Sequence, residues 1–197
     1  YDVNVYESRL KMGEYLANKI IKNININDID LIISVPDTSK PVALEISRIL
    51  NKPYYEAITK NRYINRTFIM DTQNKRKKNI KRKLNVIKDV IYKKNLLIVD
   101  DSIVRGNTIK HIIDLLKNNG VNKLFIVSSS PEIINENKYG IDVPNKEELI
   151  SYNKNNEELK KYLNIDGIIF QDLDDLKKSI QCFNPKIIDF ELSIFIK

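Results

Sequence analysis

The chain has 197 residues, of which 42% are hydrophobic, and it carries a formal net charge of +7. This length and composition predict one globular domain with enough apolar chain to form a core. No apolar run approaches the length of a membrane span, and the N-terminus does not resemble a signal peptide. The single cysteine, Cys182, excludes an internal disulfide and a cysteine metal cluster. We therefore expect a cytoplasmic protein without a membrane partner.

Apolar spacing predicts helices and strands that alternate along the chain. The predicted elements are, in chain order, a helix at 7–21, a strand at 31–35, a helix from 39 or 40 to 50, strands at 54–59 and 96–99, a helix at 109–119, a strand at 124–127, short helices at 146–152 and 156–163, a strand at 168–170 and a helix at 172–183. This alternation indicates an α/β fold in which a parallel sheet is flanked by helices.

The positive charge is concentrated in one segment. Residues 60–94 contain 13 basic and 2 acidic residues, whereas the rest of the chain has a net charge of −4. Seven of the nine residues at 75–83 are basic, which is typical either of a nucleic-acid patch or of a solvated segment that attracts a polyanionic substrate. No aromatic residue lies between 71 and 83 to stack on a base, so the second interpretation is favoured.

The most informative motif begins at the predicted strand 96–99. This strand ends in Asp100 and Asp101, and a loop with Arg105, Gly106 and Thr108 leads into the next helix. Ligands of open α/β sheets bind at the carboxyl ends of strands, and helix N-termini bind phosphate. The motif therefore suits a ribose that carries a 5-phosphate, although paired acids at a strand end also occur as helix caps and in phospho-receiver domains.

This motif resembles the phosphoribosyl pyrophosphate (PRPP) fingerprint of type I phosphoribosyltransferases. Further segments occur in the order and spacing of the glutamine PRPP amidotransferase family. They are 36–39 (PDTS), 60–63 (KNRY), 66–69 (RTFI), 83–85 (KLN), 130–132 (SPE) and 139–142 (YGID). Taken alone, 36–41 is equally typical of a plain strand-to-helix turn, and 60–67 is typical of a solvated basic loop.

The resemblance implies a type I phosphoribosyltransferase domain that forms 5-phosphoribosylamine from PRPP and ammonia, the first step of purine synthesis. Catalytic roles fall on Lys60, Arg62 and Tyr63. Thr38, Asp100 and Asp101 are the implied ligands of Mg²⁺. The implied PRPP contacts are Ser39, Lys40, Lys60, Arg62, Asp100, Asp101, Ser102, Ile103, Val104, Arg105, Gly106, Asn107 and Thr108.

The chain departs from the family pattern at a few positions. Asn107 stands where the family commonly has threonine, and its amide still donates to phosphate, while Pro41 removes one backbone donor from the diphosphate loop. Asn137 stands where the iron–sulfur members carry cysteine, so no iron–sulfur cluster is expected. His111 is expected at the surface or in packing.

The resemblance covers nearly the whole chain. It implies a single phosphoribosyltransferase domain, with a core at about 1–130 and a helical C-terminal addition at 131–197, and no glutaminase domain before Tyr1. The implied partners are a glutaminase domain or subunit, purine nucleotide feedback inhibitors that contact 60–67 and Ser102, and further copies of the chain. Two alternatives remain: a base-salvage transferase that also uses PRPP, or a non-enzymatic PRPP sensor that binds RNA through 75–83.

Overall fold

The computed structural model describes residues 2–60, 84–137 and 145–196. The strands are β1 (Leu31–Ser34), β2 (Ile58–Lys60), β3 (Leu84–Val86), β4 (Asn95–Asp100), β5 (Lys123–Ser128) and β6 (Gly167–Phe170). The helices are α1 (Val5–Asn23), α2 (Lys40–Leu50), α3 (Lys88–Ile91), α4 (Asn107–Asn118), α5 (Asn156–Leu163) and α6 (Leu173–Gln181), with 3₁₀ turns at Ile26–Asp28 and Lys146–Glu148.

A parallel sheet forms the centre of the described chain. Its strand order is β1-β4-β5-β6, and every neighbouring pair is parallel. Ile33, Ile98, Ile126 and Ile168 lie in one row across the four strands. The prediction of a parallel sheet flanked by helices is therefore confirmed.

Each face of the sheet is covered by helices, which explains why β1, β4 and β5 read as continuous apolar runs. Leu97, Val99 and Val127 pack with α1 and α2 on one face. Leu96 and Ile98 face the opposite side, where they join the buried residues of α4 and α5. Because successive strand residues point to opposite faces, both layers are needed to bury these strands.

Helix boundaries agree with the local chemistry of the sequence. The side chain of Asn4 accepts hydrogen bonds from the backbone N–H groups of Tyr6, at 2.9 Å, and of Glu7, at 3.3 Å, and so caps α1. Asn155 and Glu158 form a reciprocal capping box at the start of α5. None of the helices in the described ranges is long and apolar enough to cross a membrane.

The predicted strand at 54–59 is wrong in part. Backbone hydrogen bonds place Pro53 and Tyr55 beside Ile32, but only Tyr54 forms a bridge to β1. The chain then leaves the parallel sheet, and β2 pairs antiparallel with β3 in a separate ribbon. The sequence does not show this departure, because the apolar residues after the bridge are equally suited to either sheet.

The predicted helix at 146–152 is also wrong beyond its first turn. Only the 3₁₀ turn Lys146–Glu148 forms. The backbone N–H of Ile150 donates to the carbonyl of Val104, at 2.9 Å, and not to a carbonyl of its own segment. A tertiary contact therefore replaces the helical hydrogen bond. Leu149 and Ile150 are both buried, Leu149 with extended backbone and Ile150 at the start of a turn.

Candidate active site

Two neighbouring carboxylates end β4 in different environments. Asp100 is buried, with 6% of its surface exposed, whereas Asp101 is exposed. The backbone N–H of Asp101 donates to Oδ1 of Asp100 at 2.9 Å, and the N–H of Ser129 donates to the Asp100 carbonyl at 3.0 Å. These contacts hold both acids at the carboxyl edge of the sheet.

The environment of Asp100 changes its acidity. Burial, together with the nearby negative charge of Asp101, raises the pKa of the Asp100 carboxyl to about 7, and the hydrogen bond from the Asp101 backbone acts in the opposite direction. A cation that binds beside Asp100 favours the ionised carboxylate, so cation binding near pH 7 displaces the Asp100 proton.

We expect this burial to make protein stability depend on pH. Asp100 binds a proton up to about pH 7 in the folded state, but only up to about pH 4 when unfolded. The free energy of unfolding should therefore fall as pH rises from about 4 to about 7, by about 4 kcal/mol at most, and titration of Asp100 should not change it further above pH 7. Urea unfolding at several pH values measures this slope.

The isosteric variant Asp100→Asn provides the comparison, because asparagine does not titrate. It should lose most of this slope, so it should gain stability relative to wild type as pH rises through the window. Asp114→Asn, which removes an exposed carboxylate from α4, should keep the wild-type slope. Parallel curves for wild type and Asp100→Asn would contradict the assignment.

The loop between β1 and α2 meets the acid pair. The Thr38 hydroxyl donates to Oδ2 of Asp101, and the Ser39 hydroxyl donates to the Val35 carbonyl at 2.5 Å. Ser39 is buried, with 1% of its surface exposed, so its hydroxyl serves the loop itself in this structure. Lys40 lies at the start of α2, where its ammonium contacts the Glu56 carboxylate at 2.8 Å.

The loop after the acid pair leads directly into α4. Ile103 is buried in the core, and Gly106 has a φ of 75° immediately before the helix begins at Asn107. A left-handed φ favours glycine, and here it turns the chain so that the first N–H groups of α4 face the loop. Asn107 and Thr108 occupy the first helical turn, which is the arrangement that binds phosphate.

Lys60 reaches the same region from β2. Its ammonium nitrogen lies 3.8 Å from Oδ2 of Asp37, one residue before Thr38. Arg62, Tyr63 and the basic run at 75–83 lie outside the described residues. The structure thus brings together the predicted residues on three segments: 38–40, Lys60 and 100–108.

The oxygen atoms of this site suit magnesium. Mg²⁺ binds oxygen ligands, usually through one or two carboxylates together with substrate phosphates and water. Thr38 and Asp101 supply a hydroxyl and a carboxylate in direct contact, and Asp100 is the adjoining acid. Within the described residues no cluster of three or more His, Cys, Asp or Glu side chains could form a cage without substrate.

Sequence reasoning missed two partners of the predicted residues. Asp37 contacts Lys60, and Glu148 contacts Arg105 across 43 positions of chain. Both contacts join segments that are distant in sequence, so no local spacing signals them. The sequence places Glu148 only within the predicted helix at 146–152.

Comparisons with known proteins agree with this geometry. A family model described as phosphoribosyl transferase domain matches residues 5–138. Amidophosphoribosyltransferases of Pasteurella multocida and Escherichia coli are 47% and 45% identical to the chain, and each alignment covers 98% of the chain and 38% of the relative. The chain therefore spans about two-fifths of the length of these relatives.

A solved structure shows the same fold. The glutamine PRPP amidotransferase of B. subtilis, complexed with ADP and GMP, is 31% identical, with a TM-score of 0.79, and the match covers 98% of the chain and 42% of that protein. The predicted type I phosphoribosyltransferase fold is thereby confirmed. The chain belongs to the phosphoribosyl transferase domain family.

Proposed function

We propose that the chain transfers the phosphoribosyl group of PRPP to ammonia, which yields 5-phosphoribosylamine and pyrophosphate in the first step of purine synthesis. The observation that carries this proposal is the meeting of Thr38, the Asp100–Asp101 pair and the N-terminus of α4 at one edge of the sheet. Identity of 45–47% to amidophosphoribosyltransferases selects ammonia as the acceptor.

Each part of PRPP has a matching group in the site. The loop that ends in Gly106 and the first turn of α4 bind the 5-phosphate, and the two carboxylates bind the ribose hydroxyls. Backbone N–H groups of 37–40, with Lys40, face the diphosphate. The proposed PRPP contacts are Ser39, Lys40, Lys60, Arg62, Asp100, Asp101, Ser102, Ile103, Val104, Arg105, Gly106, Asn107 and Thr108.

Thr38, Asp100 and Asp101 would hold Mg²⁺, which neutralises charge on the diphosphate when it is bound. As the bond between the anomeric carbon and the diphosphate oxygen breaks, negative charge grows on the leaving group. Lys40, Lys60 and Arg62 stabilise that charge, and Tyr63 is proposed as a catalytic residue together with Lys60 and Arg62. Ammonia attacks the anomeric carbon to form the new C–N bond, and the proton it releases passes to solvent or to pyrophosphate.

No strong general base is needed in this mechanism, because free ammonia already carries a lone pair. The protein contributes orientation of the two reactants and exclusion of water from the activated sugar. These contributions come from binding groups, so a site built from carboxylates, hydroxyls and cations is sufficient for the reaction.

The regulation and assembly of the enzyme are part of the same proposal. A relative binds ADP and GMP, and we assign purine nucleotides to this chain as feedback inhibitors that contact 60–67 and Ser102. A glutaminase domain or subunit supplies the ammonia, and the enzyme assembles as a homo-oligomer in the cytosol. Residues 131–197 form the C-terminal addition to the transferase core.

An acceptor assay tests the proposal. The 197-residue chain, given PRPP and Mg²⁺, should release pyrophosphate with ammonium salts but not with glutamine, since its one cysteine, Cys182, follows α6 and is not placed as an amidase nucleophile. The rate should rise with pH, because deprotonation increases the concentration of free ammonia. A coupled pyrophosphate assay across both acceptor series measures this difference.

Other outcomes would identify the alternatives. Turnover that requires a purine base would assign the protein to salvage, and PRPP binding without turnover on any acceptor would indicate a sensor. Turnover with glutamine would reveal an amidase within the chain. A chain that neither binds nor consumes PRPP would overturn the proposal entirely.

A further inference from the structure

Three consecutive residues of the phosphate loop, 104–106, contact the segment 148–150, more than 40 positions further along the chain. The Val104 carbonyl accepts a hydrogen bond from the N–H of Ile150 at 2.9 Å. Nε of Arg105 donates to Oε2 of Glu148 at 2.6 Å. A Cβ added to Gly106 would lie 2.2 Å from Cδ1 of Ile150, so the two residues are in close contact. We call residues 148–150 the latch.

The latch is itself held firmly by apolar packing. Ile150 belongs to the main core beneath the sheet and is 5% exposed. Leu149, which is 2% exposed, packs with Ile133 and Ile194 in a second cluster that also contacts Val104. Because both apolar side chains of the latch are buried, Glu148 projects from a rigid segment and not from a free loop end.

The latch lies outside the phosphoribosyl transferase domain model, although the alignments to amidophosphoribosyltransferases cover 98% of the chain. The family model ends at residue 138, ten positions before Glu148. The phosphate loop at 102–108 lies inside the matched region, whereas the latch that contacts it belongs to the C-terminal addition. The addition is therefore placed to control how well the common loop binds its ligand.

We propose that Glu148 is a positioning residue for PRPP binding, which acts by holding the guanidinium of Arg105. This inference rests on the proposed function, because the loop that it supports is the proposed site of the 5-phosphate. An arginine side chain has many rotamers, and a hydrogen bond to Nε defines the plane of the guanidinium and limits that freedom. The latch thus sets the shape of the loop before the substrate arrives.

The effect should appear in affinity and not in the chemical step. Glu148 contacts the Arg105 side chain, whereas the proposed site of the breaking bond is formed by the diphosphate loop and Lys60. Without the ion pair, the loop would become ordered only when PRPP binds, and that ordering would reduce the free energy of binding. KM and the dissociation constant should therefore rise, while kcat stays close to wild type.

Glu148→Gln and Glu147→Gln form a matched pair of variants. Both remove one carboxylate from the same 3₁₀ turn, but only Glu148 contacts Arg105. Titration calorimetry with PRPP and Mg²⁺ should show affinity about 2- to 5-fold weaker for Glu148→Gln, as expected for one partly exposed ion pair. Glu147→Gln should match wild type, and thermal melts should show that both variants are folded.

A double-mutant cycle tests whether Glu148 acts through Arg105. Arg105→Gln should weaken PRPP binding at least as much as Glu148→Gln, and adding Glu148→Gln to it should cause little further loss. An equal further loss in the Arg105→Gln background would overturn the inference, since Glu148 would then act elsewhere.

The two proposals fail in different ways. If wild type and Glu147→Gln bind PRPP and Glu148→Gln binds equally well, the positioning role is wrong and the proposed function stands. A lower kcat at unchanged KM would likewise overturn the positioning role. If wild type binds no PRPP, the proposed function is wrong and this inference falls with it.

Discussion

Replacing Asp101 with asparagine is expected to weaken Mg²⁺-dependent PRPP binding by about 10- to 100-fold, the range for loss of a charged hydrogen bond or ligand. Asp101 is exposed and accepts a hydrogen bond from the Thr38 hydroxyl, so it lies where the loop at 36–40 meets the end of β4. Asparagine keeps the shape but removes the charge that attracts the cation. Titration calorimetry with and without Mg²⁺ measures the loss.

Asp100→Asn should cause a loss of similar size, although it removes a buried charge and so should not lower stability at neutral pH. Asp114→Asn is the control, because it removes one exposed carboxylate from the far side of α4. PRPP affinity that is the same in all three variants would show that the acid pair does not bind the substrate.

Gly106→Ala is expected to weaken PRPP binding by about tenfold or more, because the left-handed backbone conformation costs a residue with a Cβ about 1–2 kcal/mol. Gly106 has a φ of 75° at the start of α4, and the new Cβ would also meet Cδ1 of Ile150. The loop must therefore shift, and its N–H groups move away from the phosphate. Calorimetry with PRPP measures the affinity, and urea unfolding measures the stability.

Gly120→Ala separates strain from function. Gly120 has a φ of 84°, and a Cβ there would meet the Tyr92 ring, but it follows α4 at the end remote from the phosphate loop. It should lower stability by a similar amount and leave PRPP affinity unchanged. Adding Ile150→Val to Gly106→Ala removes the clashing Cδ1 and should recover part of the affinity. Equal losses of affinity in both glycine variants would contradict a specific role for Gly106.

The sequence by itself determined the segment that runs from β4 into α4. Its apolar strand, its acid pair, its glycine and its helix follow one another directly in the sequence, so their order and spacing are known without the tertiary structure. Short-range chemistry decides such a segment: branched apolar residues favour a buried strand, and glycine permits the turn into the helix. The resemblance to a PRPP fingerprint rests on this same continuity.

The tertiary structure alone decided which acid is buried. Asp100 and Asp101 are identical side chains in neighbouring positions, and only the packing around the end of β4 makes one of them 6% exposed and the other accessible. The raised pKa of Asp100 follows from that packing. Composition and spacing hold no information on this point, because burial depends on neighbours supplied by other strands and loops.

Long-range pairing likewise decided the segments where the sequence predictions were wrong. Residues 149–152 have helical spacing, but the hydrogen bond from Ile150 to Val104 and the burial of Leu149 replace the helix, and the chain turns after Leu149 instead. Residues 54–59 have the composition of a strand, yet β2 pairs with β3 outside the parallel sheet. Local propensity amounts to a fraction of a kcal/mol per residue, so a buried side chain or a satisfied backbone group contributed by a distant segment outweighs it.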